Sequence, residues 1–302
     1  MIIYTLLFIT LALSAYSLSL LWKSSRKPLS KSYSSILLGL SLGLFLFLFG
    51  TWVYLSIYAK YTYGGLLILS AAAGLIREKQ GGKASPAKWK QVSNLILSVV
   101  LIICNVLYFT GTTGNLATIT LDYPLKSGKY FVLQGGKGLP TNVFHFSLRG
   151  AVYAMDIVKL NKWGGRANRI FSKRLEDYEI FNDTVYAPCD GLVLRAYSTN
   201  PDNIPPAMER GPKNTNQVLL EGKDCYFFAA HLKMNGVFVK EGQYVKTGDP
   251  LGLVGNSGFS TEPHLHIQTH AKTPGVPWYQ AKPLYMLFKG KGYLLNEEMN
   301  IP

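Results

Sequence analysis

Residues 227–270 read FFAAHLKMNGVFVKEGQYVKTGDPLGLVGNSGFSTEPHLHIQTH, and this stretch decides the fold of the carboxyl-terminal half. Short runs of β-branched and aromatic residues alternate here with glycine-containing turns, which predicts short strands. The predicted strands are ATITL, KYFVLQ, VYAMDIVKL, GLVLRAY, NQVLLEG, CYFFAAHL and HLHIQTH, whereas helical periodicity is scarce. We therefore predict a mostly antiparallel β domain over residues 112–302. Residues 199–216, rich in proline and asparagine, are predicted to form a long surface loop.

The first 111 residues have the composition of an α-helical membrane region. Residues 1–22 are entirely uncharged and 32–59 likewise, and further apolar stretches cover residues 61–76 and 92–111. A helix needs roughly 20 apolar residues to cross a bilayer. The sequence therefore predicts about four spans within a transmembrane region at 1–111, which interacts with the lipid bilayer and is followed by the domain at 112–302.

The distribution of charge predicts an orientation for these spans. The chain has a net charge of +14, and residues 1–111 hold ten basic residues but one acidic residue. The basic residues concentrate in segments 23–31 and 77–91, and cytoplasmic loops carry such an excess. With four spans, both termini and the globular domain lie outside the cytoplasm. The excess thus indicates topology, and no nucleic-acid partner is expected. A cleaved signal peptide at 1–22 is disfavoured because no basic residue precedes Lys23.

All histidines lie in the globular half, and their spacing indicates a metal site. Side chains two positions apart in a strand share one face, about 6.6–6.8 Å apart. His264 and His266 can therefore bind one zinc together, or one can bind while the other acts on the substrate. Asp156 is the acid expected near them, because burying a carboxylate in the apolar run VYAMDIVKL is costly without a metal or hydrogen bonds. The alternative is that Asp156 faces solvent or caps a turn.

Three segments together resemble a known family of enzymes. They are LKSGKYFVLQGGKGLPTNVFH…YAMDIVKL, TVYAPCDGLVL and FFAAHLKMNGVFVKEGQYVKTGDPLGLVGNSGFSTEPHLHIQ. In this order they are similar to the lysostaphin/LytM-type zinc metallopeptidases, from about Leu121 to Leu287. The resemblance implies a zinc endopeptidase that hydrolyses peptide bonds, with peptidoglycan cross-links as the expected substrate. Together with the predicted spans and their orientation, this gives a membrane-anchored enzyme whose peptidase domain lies outside the cytoplasm. The membrane half lies outside the resemblance.

The resemblance also implies the roles of individual residues. The zinc aspartate of the family matches Asp156. Its HxH motif supplies one catalytic histidine, matching His264, and one zinc ligand, matching His266. The other catalytic histidine lies in an H-L pair, which matches His231, the last residue of the predicted strand segment FFAAH.

The third zinc ligand departs from the usual pattern of the family. A histidine normally stands four residues before the aspartate, where this chain has Val152, which cannot bind zinc. A subgroup of the family places its histidine earlier, in an N-x-H segment after a Q-G-G turn. Here Gln134-Gly135-Gly136 precedes Asn142-Val143-Phe144-His145, which implies His145 as the third ligand. His270 is the reserve candidate because it shares strand parity with His266.

Two other classes of function compete with an active peptidase. A catalytically inactive domain of the same fold would act as a regulator or cell-wall-binding module, and Val152 motivates this reading. A carrier-type hairpin domain would need a lysine at its tip, but Lys246 lacks that context and the histidines would have no role.

Cys189 and Cys225 can pair in an oxidising compartment, although two isolated thiols are favoured.

Overall fold

The computed structural model describes residues 2–76, 87–113, 116–147, 150–208 and 214–302. The chain divides into two compact units, Met1–Thr110 and Gly111–Pro302. The first unit is helical, and the second is built mainly from β-strands.

The described part of the amino-terminal unit contains four long helices: α1 (Ile2–Ser24), α2 (Leu29–Phe49), α3 (Ile57–Ile76) and α4 (Lys88–Thr110). α2 packs against the other three, and its leucines form much of the core. Polar side chains also join the helices. The hydroxyls of Ser17 and Tyr63 lie 2.7 Å apart, and Asn105 Nδ2 donates to the carbonyl of Ser41 at 3.0 Å. Such interhelical hydrogen bonds add to packing in a membrane bundle.

Three of the described helices are long and apolar enough to cross a membrane: Ile3–Ser24 within α1, α2 and α4. The prediction of about four spans was therefore slightly too high. The third predicted span lies in α3, which is not among these three. Its first half contains Lys60, three tyrosines and Gly64-Gly65. These polar and small residues reduce its mean hydropathy, although the helix has 20 residues.

The described residues of the carboxyl-terminal unit form one short α-helix, α5 (Val143–Phe146), and thirteen strands. The strands are β1 (Thr118–Leu121), β2 (Gly128–Gln134), β3 (Met155–Lys159), β4 (Thr184–Tyr186), β5 (Gly191–Tyr197), β6 (Gln217–Glu221), β7 (Cys225–Ala230), β8 (Leu232–Val237), β9 (Tyr244–Val245), β10 (Pro250–Val254), β11 (Leu265–Ala271), β12 (Pro283–Phe288) and β13 (Glu298–Ile301).

These strands form a large sheet and a small one. The large sheet has the order β13-β2-β3-β11-β7-β6-β5-β9, with β12 pairing to both β11 and β1, and the small sheet has the order β4-β10-β8. Among the described strands only the β1–β12 pair is parallel, so the predicted antiparallel class is confirmed. Each of the seven stretches predicted as strands carries one. Apolar side chains such as Val132, Ile157, Phe227 and Ile267 fill the core beneath the large sheet.

The turn that leads into β11 is held by the segment that the sequence predicted as a surface loop. Residues 209–213 lie outside the described part, but the rest of the loop is not all at the surface. Asn203 is buried, and its Nδ2 donates to the carbonyls of Gly258 and Ser260 at 2.7 and 3.0 Å. Gly258 has a φ of 75°, and a Cβ there would collide with Thr215. The glycine therefore lets the loop and the turn pack closely.

Candidate metal centre and active site

Three neighbouring strands bring together residues that are far apart in the sequence. β11 lies between β3 and β7, and His266 is directly opposite Asp156 on one side and Ala230 on the other. Directly opposed residues of an antiparallel pair project to the same face of the sheet. The pairing thus places the carboxylate of Asp156 beside the imidazole of His266, with Nδ1 and Oδ1 2.9 Å apart.

The third member of the cluster comes from α5. His145 is buried, and its Nε2 lies 3.4 Å from Oδ2 of Asp156. One ligand atom from each of His145, Asp156 and His266 can be chosen so that all lie within 4.8 Å of one another. These are the three residues predicted as zinc ligands. The structure brings them together, and their role as ligands stays a prediction.

The amide of Asn142 determines which nitrogen of His145 faces this cluster. Asn142 Nδ2 donates to the carbonyls of Val152 and Ala154, at 3.1 and 2.8 Å. Its Oδ1 therefore accepts from Nδ1 of His145 at 2.9 Å. With its hydrogen on Nδ1, the neutral ring presents the bare lone pair of Nε2 to Asp156.

This arrangement fits a divalent metal ion. The carboxylate of Asp156 is 6% exposed. Burial acts to raise its pKa, but positive charge on the facing rings of His145 and His264, when they are protonated, outweighs burial and holds the pKa well below its usual value. When these rings are neutral, a metal ion can supply that positive charge instead. An ionised carboxylate and a bare imidazole nitrogen are both acceptors, and a cation between them relieves their repulsion. Histidine nitrogen and carboxylate oxygen are ligand types that zinc binds.

His264 lies at the edge of this cluster, just before β11 begins. Its Nδ1 faces the carbonyl of Glu262 at 2.9 Å, so Nδ1 carries the hydrogen and Nε2 is bare. Nε2 lies 3.6 Å from Oδ1 of Asp156. The sequence predicted that His264 and His266 would share a strand face. In the structure His264 is outside the strand, yet its ring still turns towards the same carboxylate.

His231 reaches the same cluster from the end of β7. The sequence placed it as the last residue of that strand, but β7 ends at Ala230, and His231 has a left-handed φ of 62°. This conformation turns the ring to within 4.7 Å of His264 and 5.7 Å of His266, measured between centroids. Nδ1 donates to the carbonyl of Ser257 at 2.8 Å, which leaves Nε2 bare.

The surroundings of His231 keep it neutral. Burial lowers its pKa well below the usual value, and the nearby rings of His264 and His266 lower it further. A neutral imidazole with a bare nitrogen accepts a proton, as a general base must. His231 and His264 therefore supply two proton acceptors beside the three predicted ligands.

His270, the reserve ligand candidate, lies away from this cluster. It shares a face of β11 with His266, as the parity predicted, but the side chain of Gln268 stands between them, with Nε2 3.3 Å from Nε2 of His270. Val152, at the usual ligand position of the family, contributes only its carbonyl, which accepts from Asn142.

Sequence reasoning missed a buried ion pair beside the site. Arg166 donates to both carboxylate oxygens of Glu262, at 2.7 and 2.8 Å, and both residues are buried. Glu262 lies two residues before His264, so the pair ties the segment around Arg166 to the turn that orients this histidine. Glu262 stands at the variable position of the motif S-T-x-P-H-L-H, and this charged residue was the only signal of the ion pair in the sequence. Its partner, Arg166, lies 96 residues away and was not identifiable from the sequence.

Exposed aromatic rings border the site. Phe144, next to His145, stacks on Phe259 with centroids 6.3 Å apart, and the two are 47% and 40% exposed. The pair thus forms an apolar rim built from α5 and from the turn before β11.

The two cysteines of this unit are in contact. The thiols of Cys189 and Cys225 share a hydrogen bond, and both cysteines are free. Both are therefore thiols in the structure, as the favoured expectation had it, and they lie next to each other.

Two curated proteins are similar to part of this chain. A protein of Haemophilus influenzae named an uncharacterized metalloprotease is 29% identical over 148 residues, which is 48% of this chain and 28% of the relative. A protein of Buchnera aphidicola with the same name is 40% identical over 45 residues, 15% of this chain and 12% of the relative. The matches thus span about a quarter or less of these relatives.

The family follows from a match to a family model. Residues 176–277 match the model of Peptidase family M23. The match covers this stretch of the carboxyl-terminal unit and confirms the resemblance seen in the sequence. The matched stretch includes His231, His264 and His266, whereas His145 and Asp156 precede it.

Solved structures that resemble the chain include two peptidases. The catalytic domain of lysostaphin from Staphylococcus simulans is 20% identical, with a TM-score of 0.29 over 52% of this chain and 88% of that one. A zinc-containing peptidase from Vibrio cholerae is also 20% identical, with a TM-score of 0.33 over 55% of this chain and 39% of that one.

Proposed function

We propose that this protein is a membrane-anchored zinc endopeptidase. One observation carries the proposal: the buried carboxylate of Asp156 is faced by three imidazoles, with a fourth in ring contact. His145, Asp156 and His266 would hold the zinc. His231 and His264 would remain free for catalysis, since neither is needed to complete a site of three protein ligands and one open position.

Zinc at this site would polarise the scissile carbonyl and lower the pKa of a bound water to about 7. The protein itself supplies the proton transfers. In each ring, Nδ1 donates its hydrogen to a backbone carbonyl, so Nε2 has a free lone pair. Nε2 of His231 or His264 therefore accepts the proton of the attacking water. The resulting imidazolium N–H then stabilises the oxyanion or protonates the leaving amine.

We propose peptidoglycan peptides as the substrate. The proposal rests on the match to Peptidase family M23 and on the resemblance of the sequence to the lysostaphin/LytM-type peptidases. The apolar rim of Phe144 and Phe259 beside the site supports binding of an extended chain with some apolar surface.

The domain must then lie outside the cytoplasm, and the charges that flank α4 support this. Residues 77–91 contain five basic residues and one acidic residue, whereas residues 111–121 contain no charge. Cytoplasmic flanks carry the excess of lysine and arginine. α4 would therefore run from the cytoplasm to the outside, whatever the number of crossings before it. The localisation proposed is the cell membrane, with the carboxyl-terminal unit extracytoplasmic.

The test is zinc analysis combined with digestion of purified cell walls by the full chain in detergent. We expect one zinc per chain and release of new amino termini from the wall, with both lost in Asp156→Asn. Zinc retention and wall binding without new amino termini would refute peptidase activity and favour the alternative, an inactive regulator or cell-wall-binding module.

A further inference from the structure

Three side chains along one face of β11 form a chain of hydrogen-bond contacts that ends at a predicted zinc ligand. His266, Gln268 and His270 alternate along the strand and therefore project to the same side. His266 Nε2 lies 3.2 Å from Gln268 Oε1, and Gln268 Nε2 lies 3.3 Å from His270 Nε2. His270 Nδ1 lies 3.0 Å from the backbone carbonyl of Ala281.

The donor and acceptor in each of these hydrogen bonds follow from the last contact, between His270 and the carbonyl of Ala281. The carbonyl of Ala281 can only accept, so Nδ1 of His270 carries a hydrogen and donates. Burial lowers the pKa of His270, which keeps its ring neutral and leaves Nε2 as an acceptor. That acceptor takes a hydrogen from the amide nitrogen of Gln268. Turning the amide over would set its oxygen against the lone pair of His270.

The amide of Gln268 therefore presents its oxygen to His266. Nε2 of His266 has to donate to that oxygen, so in the neutral ring Nδ1 is bare. Nδ1 is the nitrogen that lies 2.9 Å from Oδ1 of Asp156. Two acceptors at this distance need a proton or a metal ion between them.

We propose that Gln268, anchored by His270, is a positioning residue that selects the tautomer of His266 and directs its Nδ1 lone pair at zinc. This inference rests on the proposed function. His145 is oriented in the same way by the amide of Asn142. Each histidine ligand would thus have its own side-chain amide, one aimed by backbone carbonyls and the other by a second histidine.

The packing around His270 keeps this arrangement in place. His270 is fully buried, and the edge of its ring contacts Trp278, with centroids 5.4 Å apart. Trp278 also stacks on Phe228 at 4.9 Å, and Phe228 in turn contacts the ring of His266. These aromatic rings exclude water from the buried amide, so solvent does not replace His270 as its partner.

The test compares variants that interrupt this series of hydrogen bonds at different points. Gln268→Leu removes the acceptor for His266. His270→Phe keeps an aromatic ring against Trp278 but frees the amide to turn over. Partners that orient metal-binding histidines typically contribute 10–100-fold in metal affinity. We expect a loss of that order in zinc affinity for both variants, measured in the full chain in detergent by competition with a chelator.

Two further variants separate positioning from general stability. Gln268→Glu retains an oxygen that accepts from His266, and we expect it to recover most of the zinc affinity lost in Gln268→Leu. Thr269→Val is the matched control, because Thr269 is equally buried in β11 but donates to the carbonyl of Leu284 on the opposite face. It should destabilise the strand without weakening zinc binding.

A direct measurement of the tautomer completes the experiment. Nitrogen-15 spectra of the zinc-loaded chain, labelled at its five histidines, should show the hydrogen of His266 on Nε2. A hydrogen on Nδ1, or unchanged zinc affinity in both Gln268→Leu and His270→Phe, would overturn the proposal. A wild-type chain that binds no zinc would instead overturn the proposed function on which it rests.

Discussion

Replacing His231 with asparagine should stop catalysis without removing zinc. His231 has the left-handed φ of 62°. Asparagine is among the non-glycine residues that adopt this conformation most readily. The substitution therefore removes the imidazole with little backbone strain. The substitution leaves the predicted ligands in place. The ring of His231 meets that of His266 in an edge-to-face contact, with centroids 5.7 Å apart.

The expected magnitudes for rate and for stability differ widely. A positioned general acid or base contributes about 10²–10⁴-fold in rate, which corresponds to about 2.7–5.4 kcal/mol of activation free energy. The folded state loses the hydrogen bond from Nδ1 to the carbonyl of Ser257, worth about 0.5–1.5 kcal/mol. For a domain of this size such a loss lowers Tm by only a few degrees, at about 2–4 °C per kcal/mol.

The assay measures turnover of a cross-linked wall peptide, zinc content and Tm for the wild type and His231→Asn. A control is Asn235→Ala, which alters another left-handed residue of the same unit, with φ 55°, outside the site. We expect the control to keep its turnover. Turnover of His231→Asn close to wild type, at full zinc occupancy, would refute a role in proton transfer. Loss of zinc in the variant would show that His231 is itself needed to hold the metal.

Further predictions concern the ligands, the buried ion pair and the topology. Asp156→Asn should lose both zinc and activity by metal analysis and wall digestion, since the only carboxylate of the cluster is removed. His145→Phe should also lose zinc, and full occupancy in that variant would show that the third ligand is misassigned. Arg166→Met should destabilise the domain by about 3–5 kcal/mol in denaturant titration, because it leaves a buried carboxylate unpaired; an unchanged midpoint would contradict this. A cysteine introduced at Thr112, in a background without the native cysteines, should react with an impermeant thiol reagent in intact cells, whereas cysteines within 77–91 should not.

Local sequence patterns were enough to predict the strands. Alternation of apolar and polar residues, bounded by glycine and proline, is a property of a few consecutive residues, and KYFVLQ and NQVLLEG each became a strand. The ends of strands were less predictable. His231 left its strand for a left-handed turn, which depends on the hydrogen bond to Ser257, 26 residues further along the chain.

The number of membrane spans was also only partly predictable. Residues 3–22 and 92–110 are uncharged throughout and lie in helices long and apolar enough to cross a bilayer. α3 combines an apolar second half with Lys60 and several tyrosines. Composition alone does not determine whether such a helix spans the membrane, since neighbouring helices determine whether its polar groups are covered.

The sequence by itself determined the class of the domain, the antiparallel strands and the residue types available for zinc chemistry, because these follow from local periodicity and from motifs of a few residues. Only the tertiary structure decided how those residues meet. His145 reaches Asp156 through α5, and Glu262 finds Arg166 at a separation of 96 residues. His270, which has the same parity as His266, became the anchor of Gln268 instead of a neighbour of the cluster. The physical reason is that distances of 3 to 4 Å between side chains depend on the register of paired strands and on the packing of loops, which no local pattern specifies.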